Sequence, residues 1–287
     1  AASGWSTSAS AATPDPAAAP GSGDVAVFSI DTLFSAQNVS LGADQAASKL
    51  EVLGTASGGT VLTGGGADRT LNLGSGGIAI EADAGPVAIG SRVPGQGVQI
   101  ALTAAQTWTN GCSSPLVVDN TISGTAAQTL MLRGAGGYRV NGSNTFSGGM
   151  TLAAGTVLGA GHDLALGTAP FVSDNGTLLV EDFPRVFSNE FLMKNDVSAM
   201  WTGDGAMTLT GDGVNPAVAI AEYRNKTFYV SRTAPTVISG NWSLKDANSG
   251  LNNSGVGPTL FTGANVLITG DIRENNAGNA SGTGNNG

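Results

Sequence analysis

Residues 70–102 read TLNLGSGGIAIEADAGPVAIGSRVPGQGVQIAL, and this stretch decides the fold. Leu71 and Leu73, Ile78 and Ile80, Val87 and Ile89, and Val98 and Ile100 alternate one for one with small or polar residues. Successive side chains of an extended chain point to opposite faces, so each pair marks a short strand with one buried face. Between the pairs stand Gly74, Gly76, Gly77, Gly85, Gly90, Gly95 and Gly97. Each would cost a helix about 1 kcal/mol relative to alanine. At a corner, by contrast, glycine and asparagine tolerate the positive φ that a tight bend demands. The stretch predicts strands and corners.

The same texture extends in both directions. GDVAVFS (23–29), TLMLRG (129–134), GYRVNG (137–142), AMTLTG (206–211) and NVLITG (265–270) are further apolar triplets closed by glycine or asparagine. Only residues 40–53, SLGADQAASKLEVL, have a spacing that accommodates a short turn of helix. The strands begin only about 7 to 11 residues apart, often closer than the 8–12 of hairpin folds, and two-residue hairpin turns are scarce. An all-β chain of this kind is expected to wind as a parallel β-solenoid. Its coils should hold roughly 20–25 residues each and stack about 4.8 Å apart around a long narrow core, making ten or so turns. The expected body is 24–271. Residues 1–23, rich in Ala, Ser and Pro, and residues 272–287, rich in Gly and Asn, read as extended termini with nothing to bury.

Composition removes several classes. Hydrophobic residues make up 41% of the 287, mean hydropathy is +0.10, and only 11% are charged, which is the reverse of a disordered chain. The 44 glycines keep no three-residue period, so collagen is excluded. No apolar run approaches the roughly 18 residues of a membrane helix, and no membrane insertion is expected. The formal charge is −9, and Lys49, Arg69, Arg92, Arg133, Arg139 and Lys194 are scattered singly. Phosphate backbones need clustered cations, so nucleic acid is not an expected partner. The single cysteine, Cys112, forms no internal disulfide and reads as a small residue at a turn. The opening AASGW matches what remains after a signal peptide is cut behind a small residue, which suggests an exported chain.

Residues 141–180, NGSNTFSGGMTLAAGTVLGAGHDLALGTAPFVSDNGTLLV, resemble the autotransporter-associated β-strand repeat, also called the passenger-associated transport repeat. The motif falls on Asn144-Thr145-Phe146-Ser147-Gly148-Gly149, with Met150 in place of the usual Thr and Thr151 in register. It continues through Gly155-Thr156-Val157-Leu158, Leu164-Ala165-Leu166-Gly167 and Gly176-Thr177-Leu178-Leu179. A looser likeness covers residues 23–142. The resemblance implies export to the surface of a Gram-negative bacterium and a β-helical passenger with a structural or adhesive role. No membrane β-barrel of the autotransporter type is recognisable in residues 1–287. The motif residues read as fold residues. Gly148 and Gly149 turn a corner, and Thr151 and Leu152 start the next strand with one side chain out and one in. Asn144 bonds backbone at a corner and, repeated from coil to coil, would stack into an amide ladder.

The residues able to carry chemistry are few. His162, the only histidine, sits in GAGHDLALG and reads as a solvated loop residue. One His and one Cys cannot build a His/Cys metal cluster. Paired carboxylates for sugar chemistry would be Glu81 with Asp83, Glu181 with Asp182, or Glu190 with Asp196, with Arg92 the nearest base to the first pair. Glu81 and Asp83 are expected on one strand face. GDGAMTLTGDG (203–213) would offer Asp204 and Asp212 to a calcium ion from neighbouring coils, and TGGGADRT (63–70) is a turn. Trp108, Trp201 and Trp242, with Phe228 and Tyr229, would make a sugar-stacking strip if exposed, but at least two of the tryptophans are expected in the core. Sequons at Asn38, Asn141, Asn175, Asn225, Asn241, Asn252 and Asn279 reflect the abundance of Asn and Thr.

Together these features point to a structural, non-catalytic subunit of an extracellular fibre, sheath or surface appendage. It would need no cofactor and would associate with itself through open solenoid ends or terminal arms. Surface glycans are the partner under the alternative of a carbohydrate-binding module. A β-helical polysaccharide lyase or hydrolase is the third reading.

Overall fold

The computed structural model describes residues 19–29, 36–193, 199–214, 227–243, 260–263, 265–270 and 272–273. Every element among them is a β-strand, and every strand pairing is parallel. A parallel neighbour cannot be reached by a tight hairpin. Each strand therefore pairs with a segment one coil away, and the chain winds as a parallel β-solenoid.

Each coil visits three faces in a fixed order. The first face is a ten-stranded sheet running from Gln37–Ser40 to Leu260–Gly263. The third is the long sheet that starts at Val25–Phe28 and ends at Ile272–Arg273. The second face lies between them and changes character along the rod. It begins as the N-terminal halves of Gln45–Val52 and Arg69–Ile80, two long strands that bend from one face to the next. It continues as a side branch, Val98–Leu102 pairing with Ile122–Ser123. Residues 143–147 and 163–168 then carry it as irregular backbone. The Thr145 N–H donates to the Ile122 carbonyl at 2.9 Å, and the Thr168 N–H to the Phe146 carbonyl at 3.0 Å. From Arg185–Phe187 to Val266–Ile268 it becomes a four-stranded sheet.

Inward side chains stack in columns along the axis. Leu71, Leu73, Ile78, Ile80, Val87, Ile89, Val98 and Ile100 are all buried. One column runs Leu130, Met150, Phe171, Phe191, with the Phe171 and Phe191 rings 5.3 Å apart. Another runs Leu116, Tyr138, Leu158, Leu178, Trp201, Val230. Each fully buried large side chain is worth about 1.5–3 kcal/mol of transfer free energy, and the columns hold many of them.

Three expectations need correction. Residues 45–52 are a strand within 40–53, not a turn of helix. Ala47, Leu50 and Val52 are buried against the stacked coils, and that packing overrides the alanine-rich local preference. The expected coil length of about 20–25 residues holds only in part. Leu130 pairs with Met150 and Phe171 with Phe191, twenty residues on in each case. Ala79, however, pairs with Thr109 and Trp242 with Ile272, thirty residues on. The extra length lies in corner loops such as 90–97. Finally, Ile272–Arg273, placed at the start of a coreless tail, pairs with Trp242–Ser243 and extends the long sheet.

Tyr138 shows what this packing does to a polar group. Its hydroxyl lies 2.8 Å from the Trp108 and the Arg133 carbonyls. Burial pushes the phenol well above its ordinary value, and the backbone bond to Arg133 only partly opposes that. The unfolded chain ionises this tyrosine near pH 10 and the folded chain does not. Its contribution is therefore intact below about pH 10 and is lost as pH climbs above it. Urea unfolding should show the wild-type midpoint falling more steeply above about pH 10 than that of Tyr138→Phe. Parallel pH profiles would contradict the burial.

Candidate functional site

The repeat-like segment folds as a corner network. Asn144 is fully buried and joins three coils: its Oδ1 accepts from the Ile122 N–H at 2.7 Å, and its Nδ2 donates to the Ala165 carbonyl at 2.8 Å. Thr145 and Ser147 on either side of Phe146 face solvent, while the Phe146 ring is sealed in the core. Gly167, at φ +76°, lies over that ring, and a Cβ there would come within 2.7 Å of it. Gly148 and Gly149 make the next corner, Gly149 at φ +87°. Met150 and Leu152 then point inward and Thr151 outward. Gly155 turns at φ +72°, and Leu166 and Leu178 are buried. Gly176 passes so close to Leu152 that a Cβ would sit 2.4 Å from its Cγ.

The expected amide ladder is not what holds these corners. Asparagine side chains bond backbone groups of their own corner and of neighbouring coils instead. Asn189 donates to the Gly167 and Ala169 carbonyls at 3.1 and 2.7 Å. Asn110 donates to the Ser114 and Gly137 carbonyls at 2.9 and 2.8 Å and accepts from the Cys112 N–H. Asn120 accepts from the Ser91 and Val98 N–H groups at 3.1 and 2.9 Å. The physical reason is that a coil leaving one face for the next breaks its strand ladder. The buried backbone groups released there need partners more than the amides need each other.

The candidate catalytic carboxylates are dispersed. Glu81 and Asp83 lie in an exposed turn after Ile80, not on a strand face, and Glu81 accepts the Gly54 N–H at 2.6 Å. Arg92 instead approaches Asp119, at 3.7 Å. Glu181 pairs with Arg139 from an earlier coil, and Asp182, at φ +64°, donates its N–H to Asp204. Of the third pair, Asp196 lies outside the described residues. Asp204 and Asp212 serve different corners: Asp204 Oδ1 binds the Asp182 N–H at 3.0 Å and Asp212 Oδ1 the Asn241 N–H at 2.9 Å. Among the described residues no three His, Cys, Asp or Glu side chains are grouped to hold a metal ion.

The remaining candidates are mostly structural. His162 is half-buried, and its Nδ1 accepts the Leu164 N–H at 3.0 Å. Cys112 is buried beneath the Asn110 corner, out of reach of a second chain. Trp108 and Trp201 are core residues, and the Trp108 indole donates to Gln106 Oε1 at 2.9 Å. Tyr229 is exposed, whereas the side chains of Phe228 and Trp242 lie outside the described residues.

Sequence reading missed one buried charge, Arg232. Its guanidinium donates to the Thr202 carbonyl at 2.9 Å and to the Gly205 carbonyl. Burial pushes its pKa below the ordinary value, and the nearby Asp204 charge opposes the shift. The run YVSRT, with a polar Ser between Val230 and Arg232, was the available signal, because the alternation places Arg232 inward.

The outer surface of the described residues carries several hollows. One of about 420 Å³ crosses the long sheet near Lys49 and Arg133. One of about 590 Å³ lies beside Glu181, Asp204 and Arg232, and one of about 350 Å³ follows the corner from Arg92 to His162. No protein-family model, curated protein or solved structure matches the chain.

The corner account makes a direct forecast. Asn144→Ala strands the Ile122 N–H and the Ala165 carbonyl, each costing about 1–3 kcal/mol, so stability should fall by roughly 2–4 kcal/mol. The neighbouring Thr145→Ala, at an exposed position, should change stability by no more than about 0.5 kcal/mol. Chemical denaturation of the two variants checks this, and equal small losses would show that Asn144 does not tie the coils together.

Proposed function

We propose that the chain is a non-catalytic structural subunit of an extracellular bacterial fibre, sheath or surface appendage, and that it associates with itself through its solenoid ends. One observation carries this reading. On the second face the inward positions Phe187, Leu209 and Ile238 are sealed at 0% exposure, but Ile268 of the last described coil stands 40% exposed. Leu267 beside it is 56% exposed. The apolar column thus continues to a surface where a further coil would cover it.

The backbone argues the same way. Among the described residues the strand Val266–Ile268 pairs only with Thr236–Ile238, and Val25, Ala26 and Val27 only with Lys49, Leu50 and Glu51. At these residues one row of N–H and C=O groups is available for strand addition. A head-to-tail contact of this kind does not close on itself and grows as a filament. The likeness of residues 141–180 to repeats of bacterial surface proteins supports export to the outside of a Gram-negative cell.

Light scattering over a concentration series tests the proposal. Mass should grow with concentration for the wild type, and Ile268→Asp should abolish the growth while leaving the β-sheet circular dichroism unchanged. A wild-type chain that stays monomeric at high concentration, or an Ile268→Asp variant that still grows, would overturn it.

A further inference from the structure

The hollow on the long sheet has a shape that the strand register explains. Outward positions form two columns, and pairing sets Lys49 beside Gly77 and Glu51 beside Ala79. The next coil places Thr109 beside Ala79, and the one after places Met131 beside Thr107 and Arg133 beside Thr109. Rows with side chains thus bracket one row, Gly77 and Ala79, that has almost none. The backbone enforces the gap. Gly77 sits at φ +60°, and a Cβ on it would lie 2.4 Å from the Thr107 carbonyl oxygen. The result is the trough of about 420 Å³, within the size range of small-ligand sites, about 300–1,000 Å³.

The chemistry around the trough is directional. At one end Arg133 is exposed, and its Nε donates to Thr109 Oγ1 at 2.9 Å, which fixes the guanidinium plane. Its two terminal nitrogens make no hydrogen bond among the described residues, so a two-pronged donor faces solvent. Such a fork matches a carboxylate. At the other end Lys49 lines the trough, its Nζ held at 2.6 Å by Glu51. An ammonium so placed suits the hydroxyl groups of a sugar ring. Thr107 and Thr109 line the middle, and Thr129 lies in the Arg133 row. Three coil steps separate the Lys49 row from the Arg133 row, about 14 Å at about 4.8 Å per step. That length needs an extended ligand of more than one ring. The two cations lining this trough also stand out on a chain whose formal charge is −9.

We propose that this trough binds a segment of a linear acidic oligosaccharide, one carboxylate held by Arg133 and hydroxyl groups held by the threonines and Lys49. The site is independent of the solenoid ends, so binding does not depend on self-association.

The test is isothermal titration of the full chain with hexagalacturonate, with cellohexaose as the uncharged counterpart of similar length. The acidic hexamer should bind and weaken as salt is raised, because its charge is partly screened. Arg133→Ala should reduce its affinity by about tenfold or more, the loss expected for a charge-assisted contact. Ala79→Phe, which fills the floor from an outward position, should abolish binding with β-sheet circular dichroism retained. Absence of hexagalacturonate binding, equal binding of cellohexaose, or binding that survives both substitutions would each overturn the proposal.

Discussion

Each interior coil among the described residues must satisfy two neighbours, and pairing partners lie twenty to thirty-three residues apart in sequence. That demand is the constraint on which the rest depends. A coil that slipped by one residue against its neighbours would turn its own inward set outward, Met150 and Leu152 together in the strand Met150–Leu152. The inward columns thus hold register through burial, and the parallel ladders hold spacing through backbone hydrogen bonds. Neither suffices at the corners, where the ladder is interrupted. There the asparagines act as replacements for missing strand partners, and glycines allow the backbones to pass closely.

This division of labour explains why the acidic residues of the sequence do not gather. Glu81, Asp204 and Asp212 each accept a backbone N–H from a neighbouring coil or corner. Their spacing along the chain follows the corners, which repeat with the coil, and so their carboxylates are set apart along the rod. Arg232 extends the logic to a cation. Its guanidinium donates to the Thr202 and Gly205 carbonyls, and the nearby Asp204 charge opposes the fall in pKa that burial causes.

Much of the fold was legible in the sequence because a period of two is a strong local signal. Leu71 with Leu73, and Val98 with Ile100, are buried pairs as their alternation implies. What local pattern could not supply was anything decided between coils. The helix-like spacing of 40–53 yields to the packing of Ala47, Leu50 and Val52. Coil length depends on corner loops that carry no periodicity. The second face passes through residues 143–147 and 163–168, which form no strand, and in 143–147 the inward positions are Asn144 and Phe146, so no apolar alternation marks it in the sequence. Whether the amide of a motif residue such as Asn144 bonds another amide or the backbone depends on which carbonyls the neighbouring coil leaves unpaired. The trough was not legible at all, since it arises only when the register sets Gly77 and Ala79 between fuller rows.

The most direct test of the parallel stacking is a disulfide cross-link between outward residues of adjacent coils. Thr151 and Val172 are register partners in neighbouring parallel strands, at a separation of about 4.8 Å that a disulfide can span. With Cys112 replaced by serine, the pair Thr151→Cys and Val172→Cys should oxidise readily in the folded chain. The pair Thr151→Cys and Leu192→Cys, two coils apart, should not. Efficient closure of the second pair with failure of the first would contradict the solenoid.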